Sequence, residues 1–396
     1  MALKLLFICF VAVVIQQVRP IKVPILGDVL NGLANVFNLN QTPVNEDVNL
    51  NITQLAAKYN YSMEDHKVTT EDGYILTVHR LGERRGVPIL LMHGLLDSSD
   101  SWLLQGPNNS LGYLLAEAGF DVWMGNARGN KYSFSHIKLN ARDERFWNFT
   151  WEQIGLYDLP ATVDYILNET NSKELYYVGF SQGTTTFYVM NALKPEYSKK
   201  VKMMFSLAPV AWLRNIREPL LKYMSRLVGY APSYNLYTSS KEFFTRVCGI
   251  FSNRCSGVTD IFTSTAGLVD KDIMPVIFSH YPTTASALQF IHYAQLINSG
   301  RFCRFDYGKE NMAEYGTVLP PEYDLSELTT PVVLYYSNGD SLSTILDVLN
   351  LGRHLPNVYK TNIIRNISHM DFIYATIAKE KIYKDIIMHI RQLEKN

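Results

Sequence analysis

The residues in this chain best suited to chemistry are a serine, an aspartate and a histidine met in that order. Ser181 lies in Gly179-Phe180-Ser181-Gln182-Gly183, a G-x-S-x-G pentapeptide. The bare pentapeptide is a weak signal, and its setting carries the reading: an apolar, β-rich run at 175–178 precedes it and a helix-compatible run at 184–193 follows. A serine on so tight a strand-to-helix turn exposes its hydroxyl, and the flanking glycines let strand and helix backbones approach where a Cβ would not fit. A serine hydroxyl is a poor nucleophile at its own pKa. It needs a base, and the base needs an acid that fixes its tautomer and stabilises its cationic form. His369 is the candidate base, because of nine histidines it alone lies in a loop directly after the last core strand and C-terminal to both Ser181 and a strand-end acid. Asp340 is the candidate acid, reached from an apolar strand through a short Asn-Gly turn. Asp347 and Asp371 compete for that role; the first falls in a helical stretch and the second is so near His369 that it must bend back sharply.

An oxyanion developing at the attacked carbonyl needs backbone N–H donors. Gln182, directly after the nucleophile, supplies one, and Leu95, in the loop after an earlier strand, is the natural source of the other. His93 before it reads as a hydrogen-bonded shaping residue and not as a base.

To bring these groups together the chain must deliver them to one edge of a sheet. Strand-like runs at 87–92, 121–124, 203–207, 331–336 and 360–364 alternate with helix-compatible stretches at 111–118 and 151–167. A hairpin is expected at 69–81, around Glu71-Asp72-Gly73, and an amphipathic helix at 372–393 closes the domain. This alternation predicts an α/β fold with a mostly parallel central sheet, helices on both faces, and functional loops at the carboxyl ends of the strands. It breaks down between about 211 and 323, read as a mainly helical cap insertion. The expected organisation is a core at 46–210, a cap at 211–324, and the rest of the core at 325–396, with an N-terminal extension at 20–45.

Lys4 followed by an apolar run at 5–15 reads as a secretory signal at 1–19. That run is too short to span a membrane, which takes about 20 apolar residues, and no later segment offers a transmembrane span. Sequons begin at Asn40, Asn51, Asn60, Asn108, Asn148 and Asn168, and a further one at Asn366 sits too near His369 to be a good acceptor. In an oxidising compartment one disulfide is expected. Cys248 with Cys255 closes a short loop and is the preferred pair, with Cys303 open as an alternative partner. A formal net charge of +0 and the lack of long basic runs give no electrostatic footprint for nucleic acid. No metal-ligand spacing, G-x-G-x-x-G or P-loop occurs, so neither a metal nor a nucleotide cofactor is expected, and no protein partner is evident.

Several of these stretches together resemble the animal acid lipase family of the α/β-hydrolase superfamily. The resemblance runs from about Glu46 to the C-terminus, through Thr69-Thr70-Glu71-Asp72-Gly73-Tyr74-Ile75-Leu76, His93-Gly94-Leu95-Leu96-Asp97, Gly125-Asn126-Ala127-Arg128-Gly129-Asn130, Tyr157-Asp158-Leu159-Pro160-Ala161, the serine pentapeptide, and His369-Met370-Asp371-Phe372. It puts Ser181, Asp340 and His369 on the family's triad positions and Leu95 and Gln182 on its oxyanion positions. It implies a secreted or lysosomal serine lipase that hydrolyses neutral lipid esters, acylglycerols or steryl esters, at an oil-water interface, with a lid at about 232–258. Ser341 departs from the bulky apolar residue the family carries after the triad aspartate. The competing readings are a non-catalytic lipid-binding or storage protein on the same fold, and an esterase for short soluble esters.

Overall fold

A computed structural model describes residues 45–83, 86–218, 221–222, 225–226, 268–270 and 272–395. The expected signal, Asn40, Cys248, Cys255 and the lid at 232–258 lie outside the described residues.

Among the described residues, apolar runs form the middle of one nine-stranded sheet. β1 (Met63–Thr69), β2 (Tyr74–Leu81), β3 (Pro88–Met92), β4 (Asp121–Met124), β5 (Ser135–His136), β6 (Leu175–Phe180), β7 (Val201–Leu207), β8 (Val332–Ser337) and β9 (Val358–Ile364) follow in chain order. In space the order is β1-β2-β4-β3-β6-β7-β8-β9, with β5 paired to β2. β1, β2 and β4 are antiparallel neighbours, and every pairing from β4 to β9 is parallel.

The side chains of β3 show why both faces are covered. Leu90 and Met92 join one apolar cluster and Ile89 and Leu91 the other, and β6 divides in the same way. A strand buried on both faces has no polar alternation to read, which is why these segments are continuous apolar runs. The helices that follow are α1 (Ile52–Lys58), α2 (Leu111–Glu117), α3 (Leu159–Thr170), α4 (Gln182–Leu193), α5 (Met274–His280), α6 (Ala287–Ser299), α7 (Ile345–His354) and α8 (Lys384–Leu393). Side chains of α3, α4 and α7 pack on the Leu90 face, and those of α1, α2 and α8 on the Ile89 face.

The turn before β2 is tied to the loop after β4 by a buried cation. Arg128 donates to Asp72 at 2.5 and 2.8 Å and to Asp158 Oδ1 at 2.7 Å, and its guanidinium lies 4.0 Å from the centre of the Tyr74 ring. Asp158 ends a π-helical turn, Ile154–Asp158, within the stretch expected as one helix at 151–167.

Two other expectations are corrected. The hairpin's first arm is β1, which begins at Met63 and only ends at Thr69. The closing helix at 372–393 is broken: a helical turn at Asp371–Tyr374 ends at an extended Ala375, and the chain re-enters through a π-helical turn before α8. Tyr383 explains the break, since its hydroxyl donates to the carbonyls of Phe372 (3.0 Å) and Ile373 (3.1 Å), which a continuous helix would bond internally. Between β7 and β8 the chain carries α5 and α6. The end of α5 and the segment joining it to α6 reach back to the core, with His280 Nδ1 lying 2.6 Å from Asp100 Oδ2 and the Thr283 amide donating to Leu96 O at 2.7 Å.

Candidate active site

The turn from β6 into α4 is strained where the nucleophile is expected. Ser181 has φ 51 and ψ −115, left-handed backbone that a non-glycine residue rarely adopts. The conformation is held from several sides: the Ser181 amide donates to Leu207 O at 3.0 Å, and Tyr177 Oη donates to Gly183 O at 2.6 Å. A Cβ on Gly183 would lie 2.2 Å from Met92 O, and one on Gly179 would lie 2.8 Å from the Gly183 carbonyl, so both glycines are sterically required. Strain kept at one serine by so many constraints is of the kind found at functional sites.

His369 comes to this serine from the loop after β9. Its Nε2 lies 2.7 Å from Ser181 Oγ and its Nδ1 2.8 Å from Asp340 Oδ2. Because a carboxylate only accepts, the Nδ1 proton belongs to the bond with Asp340, and Nε2 is left to accept from the hydroxyl. Asp340 is fully buried and His369 nearly so, whereas Ser181 keeps partial access to solvent. Asp340 Oδ1 accepts from the amides of Leu342 (2.8 Å) and Ser343 (2.9 Å), an Asx turn that orients the carboxylate.

The competing acids are occupied elsewhere. Asp347 accepts from the Asn215 amide and side chain and from Thr344 Oγ1 at the start of α7. Asp371 accepts from the Ser368 amide at 2.7 Å. A second serine-histidine contact, Ser99 Oγ to His79 Nδ1 at 2.7 Å, is sealed in the core with both residues buried, and no ester can reach it.

The loop carrying Leu95 is shaped by His93. The ring's Nδ1 donates to Gly94 O at 2.7 Å, and Nε2 accepts from the Ala127 amide at 3.1 Å. Burial pushes the imidazole pKa down to about 4, so His93 is a neutral strut. Leu96 next in line also has a positive φ of 60. Among the described residues, neither the Leu95 nor the Gln182 amide donates to another backbone carbonyl.

Of the expected glycan acceptors, Asn51, Asn60, Asn108, Asn148 and Asn168 are exposed. Cys303 is a free, buried thiol, and burial pushes its pKa up to about 11. Two residues at the site escaped the sequence reading. Arg217 Nη2 donates to the carbonyls of Asn338 (2.8 Å) and Asp340 (2.6 Å), and the Ser337 hydroxyl bridges the loops after β8 and β9. Neither lies in a motif; the Asn-Gly turn before Asp340 was the one local signal there.

Residues 87–376 match the family model described as alpha/beta hydrolase fold, and residues 52–106 match a partial alpha/beta-hydrolase lipase region. Lipase 1 of Drosophila melanogaster is 38% identical over 358 residues, 88% of this chain and 81% of its own. Gastric triacylglycerol lipase of Rattus norvegicus is 35% identical over 369 residues, 87% of this chain and 92% of its own. Among solved structures, a thermophilic esterase from Thermogutta terrifontis superposes with a TM-score of 0.53 at 15% identity, covering 83% of this chain and 98% of that one, which speaks to the fold alone. From the sheet order, the strained serine turn and relatives aligned over most of their length, the chain belongs to the animal acid lipase family of the α/β-hydrolase fold.

Proposed function

We propose that this protein hydrolyses the ester bonds of neutral lipids, acylglycerols and steryl esters, through an acyl-enzyme on Ser181. The observation that carries the reading is the unbroken hydrogen-bonded chain from Ser181 Oγ through His369 to Asp340, at 2.7 and 2.8 Å. His369 Nε2 takes the hydroxyl proton as Oγ attacks the ester carbonyl, and Asp340 stabilises the imidazolium. The amides of Leu95 and Gln182 donate to the oxyanion. On collapse the bond to the alcohol breaks, His369 protonates the departing alkoxide, and the acyl group stays on Ser181. Water, deprotonated by the same imidazole, then releases the fatty acid and restores the serine. No metal or cofactor enters this sequence.

The cap role that the resemblance implies is assigned to the insertion expected at 211–324, and relatives named lipase and gastric triacylglycerol lipase support the lipid class. The apolar run at 5–15 and the sequons support a secretory-pathway enzyme, extracellular or lysosomal. Among the described residues no helix is long and apolar enough to cross a membrane. The test is turnover of emulsified long-chain triacylglycerol, a steryl ester and a soluble short ester by the purified protein. Preferential hydrolysis of the emulsified lipids is expected. Activity on the short ester alone would make it a soluble-ester esterase, and lipid binding without turnover a carrier.

A further inference from the structure

We infer that Ser337 is the positioning residue that holds the Asp340 turn and the His369 loop in mutual register. The inference rests on the acyl-enzyme reading above and adds a residue to it. β8 and β9 are parallel neighbours, so the acid and the base leave the sheet on two separate loops, and the bond of 2.8 Å between them depends on how those loops meet. Ser337, the last residue of β8, is fully buried at that junction.

Its hydroxyl uses its whole hydrogen-bonding capacity. Oγ donates to Ile367 O at 2.7 Å and accepts from the amides of Gly339 (2.9 Å) and Ile367 (3.2 Å). Gly339 directly precedes Asp340, and Ile367 stands two residues before His369. One oxygen therefore bonds to both loops within two residues of the groups they carry. The loops are also in steric contact, since a Cβ on Gly339 would lie 2.5 Å from Ile367 O. Outside this bond the exposed side chain of Asn338 closes a second pair, its Nδ2 donating to Asn366 Oδ1 at 3.1 Å and its Oδ1 accepting from the Asn366 amide at 2.8 Å. Asn366 has a positive φ of 58, so the base loop is held in a conformation that a free asparagine leaves easily. No bond in this set includes Ser181 or His369 themselves, which makes Ser337 a support for the base and not a reacting group.

Ser337→Ala removes the shared oxygen and lets the loops shift by fractions of an ångström, and misplacement of about 1 Å in a catalytic group can cost about 100-fold. The experiment compares wild type, Ser337→Ala and Asn338→Ala for kcat and KM on an emulsified triacylglycerol. It also measures the rate at which a fluorophosphonate labels Ser181, and the downfield proton resonance of the His369–Asp340 bond. The expected result for Ser337→Ala is a kcat lowered by about 10- to 100-fold with KM little changed, labelling slowed in parallel, and the resonance broadened or lost. Asn338→Ala, at an exposed position that the fold tolerates, should show the same pattern more weakly. A folded Ser337→Ala with wild-type kcat, labelling rate and resonance would overturn the inference. So would a rise in KM alone. If Ser337→Ala does not fold, wild-type kcat and resonance in Asn338→Ala overturn it. Failure of the wild type itself to label at Ser181 would sink the acyl-enzyme reading, a result distinct from either.

Discussion

A carboxyl group that gains only one good partner on burial keeps its proton. Asp97, in the loop after β3, accepts from the Ser98 amide at 2.7 Å through Oδ1, while Oδ2 has no hydrogen-bond partner among the described residues. Burial pushes its pKa up to about 7, from 3.8. In that window the folded chain holds a proton that the unfolded chain has lost, so this group's contribution is full at low pH and is lost as pH rises towards 7. Asp97→Asn keeps the Oδ1 acceptor and removes the titration. Unfolding free energies from urea titrations should show wild type falling behind Asp97→Asn as pH rises through this window, by about 1 kcal/mol per unit; parallel curves would contradict the assignment. His93 and His292 act in the opposite sense, because burial pushes both from 6.5 down to about 4 and between those values only the unfolded chain takes up their protons. At this scale Ser181, Asp340 and His369 were legible because few residue types do this chemistry. Ser337 was not: a strand-end serine carries no sign of which loop its hydroxyl will meet.

Two glycines in helices show how packing decides what a sequence can bear. A Cβ on Gly183, in the first turn of α4, would strike Met92 O, a backbone atom that cannot step aside. Gly183→Ala should therefore push the helix away from β3, lowering the urea midpoint and activity together. Gly352 in α7 would bring its Cβ only to ordinary contact with Leu334, at 3.8 Å. Gly352→Ala should stabilise the protein by about 0.5–1 kcal/mol in the same measurement with kcat unchanged, because glycine loses more conformational freedom on entering a helix. The buried parallel strands were the most legible elements, since burial on both faces writes itself as an apolar run. β1 was missed for the converse reason. As an edge strand it carries Glu64, Asp65, His66 and Lys67 in an unbroken polar run, with Asp65 and Lys67 exposed and His66 turned in against Trp123, and only the pairing with β2 makes it a strand. The break at Ala375 escaped because the competing partner, Tyr383, comes from the next helical turn.

Across the molecule, distant motifs turn out to be ends of the same supports. The turn at Asp72, the loop at Arg128 and the π-helical turn at Asp158 meet in one ion cluster, buried at Arg128 and Asp158 and open to solvent at Asp72, although the sequence separates them widely. Removing one partner leaves buried charge uncompensated, so Arg128→Met should cost about 3–5 kcal/mol in denaturant unfolding, far more than a surface pair would. A loss below about 1 kcal/mol would mean the cluster is solvated in practice. These supports hold the strand ends that present the site, and the order of elements made the sheet readable while the side-chain ties between loops were not. The central claim concerns one oxygen atom. Peptide mapping after treatment with a fluorophosphonate tests it most directly: a single adduct should appear on Ser181 as lipid hydrolysis is lost, and Ser181→Ala should fold normally with turnover lowered by about 10⁶. An adduct on another residue, or a Ser181→Ala protein that still turns over triacylglycerol, would contradict the account.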